Sequence, residues 1–81
     1  MSLRNDLLQT LRENVPLLPA DVDDRTSLIA SGILDSAGLF HVALWVERQL
    51  GAAFDITAYD LAAEWNTIAD ILSFVERHRG R

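Results

Sequence analysis

Apolar residues recur at helical spacing in three stretches of this 81-residue chain, and proline, glycine and short polar residues mark where each stretch ends. Leu3, Leu7, Leu8, Leu11 and Val15 fall three or four apart, and Ser2 stands where a cap would accept the first free N–H groups. Pro16 and Pro19 end that helix, because proline lacks the N–H and restricts the residue before it. Between Pro16 and Asp35 no helical period survives, which predicts a long ordered loop pinned by Leu28, Ile29, Ile33 and Leu34. Loops of that length tend to be functional. A second helix is predicted from Ser36 to Leu50, closed by Gly51 as a left-handed cap. Thr57-Ala58-Tyr59-Asp60 has the form of a capping box opening a short third helix to about Ala63, and Trp65 marks the break after it. A second box, Thr67-Ile68-Ala69-Asp70, opens a last helix with Ile68, Ile71, Leu72 and Val75 on one face. His78 and Arg79 lie near its negative end, and Gly80 stops it. No stretch alternates with a period of two for long enough to make a strand. The expected fold is all-α: a four-helix bundle with three principal helices, one short one and a long first loop, in one domain over residues 1–81.

Composition narrows the chemistry. The chain is 49% hydrophobic, enough for a core, and has no cysteine. Disulfides, thiolate metal sites and a cysteine nucleophile are thereby excluded. Net charge is −5 and every basic residue is Arg, so the surface repels a phosphate backbone and nucleic acid is not an expected partner. The N-terminus has polar residues throughout and no continuous apolar stretch, unlike a signal peptide, and no segment approaches the roughly 20 apolar residues of a membrane span. A cytoplasmic protein with no direct membrane insertion is expected. Asp21, Asp23 and Asp24 lack the glycine turn and distal Glu of a calcium loop, so they read as solvated surface and no metal is assigned.

The remaining chemistry gathers at Ile33–His41, written ILDSAGLFH. Asp35 and Ser36 stand together at the mouth of the second helix, where one cap would suffice. Catalysis by Ser36 would need a base in reach and an oxyanion hole. The histidines are His41 and His78, and there is no G-x-S-x-G elbow, so the chain is not expected to be an enzyme. Two readings stay open on the residues alone: a plain cap, or a hydroxyl exposed for modification. A phosphodiester on Ser36 would be favoured by free N–H groups and the positive end of the helix dipole.

Gly32-Ile33-Leu34-Asp35-Ser36, after a long first loop and ahead of the second helix, resembles the phosphopantetheine-bearing carrier proteins of acyl and aminoacyl metabolism. The likeness in element order spans nearly the whole chain. It implies that a phosphopantetheinyl transferase moves 4′-phosphopantetheine from coenzyme A onto Ser36, with Asp35 beside the transferase's magnesium site. The arm would carry an acyl or aminoacyl thioester from an activating ligase to a downstream acyltransferase. Gly38, Ile56-Thr57-Ala58-Tyr59-Asp60 and Trp65-Asn66-Thr67 look like the D-alanyl carrier proteins in particular. A monomer is expected of a carrier that visits several enzymes.

On the second helix, Leu39, Val42, Ala43, Val46 and Leu50 are assigned to the core. Phe40, Leu44 and Trp45 are then left on other sides, and an exposed Phe/Leu/Trp patch would mark a protein-interaction site. The expected partner face comprises Ala37, Gly38, Phe40, His41, Trp45 and Arg48. Ala37 is small where carriers usually place Leu, Met or Phe. Glu47 is the helix's only acid, unlike the acidic second helix of fatty-acid carriers, which favours a carrier with its own activating enzyme. The alternatives are a small helical interaction domain without cofactor, or a general acyl carrier protein of fatty-acid or polyketide synthesis.

Overall fold

A computed structural model describes residues 2–53 and 55–79. Four α-helices and one 3-10 turn are present, with no strand among the described residues: α1 (Leu3–Asn14), α2 (Ser36–Leu50), the 3-10 turn (Ile56–Ala58), α3 (Leu61–Glu64) and α4 (Ile68–His78). The all-α bundle with a long first loop is what the periodicity predicts. Gly80 lies outside the described residues, so its role as a stop is left aside.

Capping fixes the helix starts. Ser2 Oγ accepts the Asn5 N–H at 3.1 Å, and Thr67 Oγ1 accepts the Asp70 N–H at 3.0 Å, satisfying donors that each first turn leaves orphaned. At the far end of α2, Gly51 takes φ 71° and its N–H returns to the Glu47 carbonyl at 2.8 Å. The expected box at Thr57 does not form. Thr57 instead donates its hydroxyl and N–H to Asp55, which caps the 3-10 turn, and α3 begins only at Leu61. A short acidic side chain two residues upstream outcompetes the box for the same backbone.

The core joins all four helices and the loop. Leu7, Leu11, Val42, Val46, Trp65, Ile68, Ile71 and Val75 are fully buried, and Leu28 and Leu34 bring the loop in beneath them. Phe74 belongs to this core, whereas the expected Leu72 only packs at its margin. The Phe74 ring meets Trp65 edge-on at 5.4 Å and Tyr59 at 5.1 Å, and stacks on His78 at 4.1 Å.

Helix α2 is rotated from its expected phase. Its buried residues are Gly38, Val42, Ala43, Trp45 and Val46, while Leu39 and Leu50 are only half-buried. At about 100° per residue the buried arc lies roughly 60° from the expected one. Trp45 accounts for the turn: its ring is 0% exposed and its Nε1–H donates to Asp6 Oδ2 on α1 at 3.0 Å. An indole buried with its N–H satisfied is favoured over one left at the surface. Trp45 therefore leaves the expected partner face.

Candidate functional site

The loop that leads to α2 is ordered by polar contacts as much as by its apolar anchors. Asp24 pairs with Arg4 at 2.6 Å and its carbonyl accepts the Ala69 N–H. Asp23 closes a turn on itself. The Arg25 N–H, then the Thr26 hydroxyl, hold its carboxyl below the usual aspartate value. Asp21, Asp23 and Asp24 do not converge, and no cluster able to hold a metal occurs among the described residues. The main chain of Asn66 accepts the Leu28 N–H at 2.6 Å, and the Leu34 N–H returns to the Leu28 carbonyl at 2.8 Å. Gly32, at φ +83°, makes the turn between them, in a region that favours glycine. The chain thus arrives at Asp35 with its direction set.

Asp35, not Ser36, caps α2. Its Oδ1 accepts the Gly38 N–H at 2.8 Å, and its carbonyl accepts the Leu39 N–H at 2.9 Å. Ser36 is the first helical residue and is exposed, as are Asp35 and Ala37. Because Asp35 does the capping, the Ser36 hydroxyl is left uncommitted. The N–H groups of Ser36 and Ala37 have no partner among the described residues, being the orphans every helix start presents. The other four serines differ. Ser2 is spent on a cap, Ser27 donates to Asn66 and Ser31 to the Ser27 carbonyl, and Ser73 lies in the middle of α4. A phosphate ester on Ser36 would meet free N–H donors and the dipole's positive end, and the outer oxygen of Asp35 remains open to a partner's cation. The residues suit such a group.

Gly38 has a packing reason of its own. A Cβ there would come within 3.0 Å of Leu34 Cδ2, 3.3 Å of Asp35 Oδ1 and 3.4 Å of Val15 Cγ2. The glycine lets the end of α1 and the loop close against the first turn of α2, and it is buried. Gly38, like Trp45, therefore leaves the expected partner face. What remains is a line at four-residue spacing, Ser36, Phe40, Leu44 and Arg48, all exposed. Phe40 is 58% and Leu44 37% exposed; Leu17, at 70%, is the other large apolar side chain so exposed among the described residues. Ala37 flanks the line, and His41 sets its ring edge-on to Phe40 at 6.2 Å. Five residues of helix turn His41 about 140° from Ser36, the wrong direction for a base.

A small helical bundle that presents an exposed, uncommitted serine at a helix mouth has the form of a carrier. The phosphopantetheine attachment site family matches residues 5–75, and the chain belongs to that family. Comparison with curated proteins and with solved structures finds no match. Its cofactor is 4′-phosphopantetheine, held covalently on a serine. No described helix is long and apolar enough to cross a membrane.

Proposed function

We propose that Ser36 is the attachment residue and that the domain is a non-catalytic aminoacyl carrier with its own loading ligase, D-alanine being the expected cargo. The observation that carries the reading is that Asp35 caps α2 and leaves the adjacent Ser36 hydroxyl exposed and uncommitted. When bound, the arm supplies a terminal thiol that this cysteine-free chain lacks, and holds the cargo as a thioester. The chain's own residues present the site. Asp35 fixes the first turn and keeps one carboxylate oxygen outward for the transferase's metal, while the Ser36 and Ala37 N–H groups face the ester. The line Phe40, Leu44 and Arg48 leads away from Ser36 and supports docking by a ligase with an apolar pocket and an acidic rim. A general fatty-acid carrier, which meets basic enzymes, fits that line less well.

Incubation with coenzyme A and a promiscuous phosphopantetheinyl transferase should add one phosphopantetheine by mass, and Ser36→Ala should add none. A modified Ser36→Ala protein would overturn the attachment site, and an unmodified parent would leave an interaction domain without cofactor. Loading of the holo-protein by a D-alanine-adenylating ligase, set against a malonyl transferase, separates the aminoacyl carrier from a general acyl carrier.

A further inference from the structure

Asn66 stands between Trp65 and the cap of α4, yet its side chain serves the loop 36 to 39 residues earlier. One oxygen, Oδ1, accepts three donors: the Ser27 hydroxyl at 3.1 Å, the Ile29 N–H at 3.1 Å and the Ala30 N–H at 3.0 Å. Its main-chain carbonyl takes a fourth, the Leu28 N–H at 2.6 Å. Four consecutive loop residues thus hang from a single residue of the α3–α4 junction. The loop then closes on itself through the Leu34 N–H and the Leu28 carbonyl, and the next two residues are Asp35 and Ser36. An apolar anchor fixes depth but tolerates rotation, whereas three hydrogen bonds to one oxygen fix direction as well.

We infer that Asn66 is a positioning residue for phosphopantetheine transfer to Ser36: it sets the loop that delivers the serine, and acts as an acceptor only. The inference rests on Ser36 being the attachment residue. Because Oδ1 receives every one of the three side-chain bonds, a carboxylate can replace the amide and an alkyl group cannot. Asn66→Asp keeps the acceptor, Asn66→Leu keeps the size and removes it, and Ser27→Ala removes one donor of three. All three substitutions lie at half-buried positions away from the exposed Asp35, Ser36 and Ala37, so the side chains a transferase meets at the helix mouth are kept while the serine is misplaced.

The test is the steady-state rate of transfer from coenzyme A at a temperature where circular dichroism shows each variant folded. Asn66→Leu should lower kcat about tenfold or more with KM little changed, since a small displacement of a reacting group is costly. Ser27→Ala should fall between, and Asn66→Asp should stay within about twofold of the parent. Amide spectra supply a readout that needs no enzyme. Asn66→Leu should move the Ile29 and Ala30 resonances together with those of Leu34 to Ala37, and Asn66→Asp should leave the latter in place. Were Asn66→Leu only structural, it would melt earlier yet be modified at the parent's rate with the Ser36 resonances unmoved, which overturns the inference alone. Modification of Ser36→Ala, or none of the parent, overturns the attachment reading and this inference with it. Equal loss in Asn66→Asp and Asn66→Leu would also overturn it, because the acceptor would then not be what matters.

Discussion

Helices α2 and α4 are built from similar residues and end in opposite situations. In α4 the apolar side chains fall on one side, and Ile68, Ile71, Phe74 and Val75 are all buried, with Ala69, Ser73, Glu76 and Arg77 left outside. In α2 they run nearly all round. Five positions face the core, yet Phe40 and Leu44 remain exposed beside Ser36. Each large apolar side chain brought out of water contributes about 1.5–3 kcal/mol, so the stabilisation that α4 has already drawn from its apolar residues is still open to Phe40 and Leu44 when a partner covers them. A helix with one apolar face is committed to its own fold. A helix with two can belong to a second protein as well.

That contrast breaks first at the core. Phe74→Ala in α4 and Trp45→Ala in α2 should each cost about 3–5 kcal/mol in urea unfolding, as fully buried rings do. Leu50→Ala, half-buried, should cost less than either. A Trp45→Ala change below about half a kcal/mol would return Trp45 to the outer face and void the rotated phase of α2. The caps come next: Thr67→Ala and Asp35→Ala should each cost about 1 kcal/mol, whereas Ser36→Ala should cost less than about half of one, since its hydroxyl caps nothing.

Smaller still are the effects on the outer line of α2. Phe40→Ala, Leu44→Ala and Arg48→Glu should leave stability within about half a kcal/mol while slowing loading by the cognate ligase. For Arg48→Glu the loss should shrink at high salt, where charge steering is screened. Equal loading rates for variant and parent at low salt would remove that residue from the interface. The least effect is at Asp55. The Thr57 hydroxyl, then the Thr57 N–H, hold its carboxyl below its ordinary value of 3.8. Its contribution is therefore present above that value and is lost as pH falls through the lowered one. The Thr57 amide resonance should move in that acid window, with the resonances of α4 unchanged.

How far these features are legible without coordinates depends on how many physical constraints converge on each. For α4, a cap, a single apolar face and a following acid all agree; Phe74 is missed and Leu72, expected in the core, packs at its margin, because the buried stripe runs through 71, 74 and 75 and not through 72. For α2, apolar residues run nearly all round the helix, so periodicity alone does not choose a phase. The choice is made by Asp6 on another helix, which accepts the Trp45 N–H. Thr57 carries a capping-box pattern, but the competing acceptor, Asp55, lies upstream of the box. At the site, the motif singles out Asp35 and Ser36 but cannot say which of the two caps. That division of labour follows from the direction in which the loop arrives. Asn66 is harder still: its partners lie 36 to 39 residues away, and the sole local hint is a polar residue between a buried Trp and a cap.

The burial of both indoles has an optical consequence. The chain has two tryptophans, Trp45 and Trp65, and each is fully shielded from water. Their fluorescence reports the interior and not the surface where Ser36 stands. Emission should stay blue through attachment, loading and discharge, and shift to the red only when the bundle opens. Folding and cargo state can then be followed in one cuvette, by light for the first and by mass for the second.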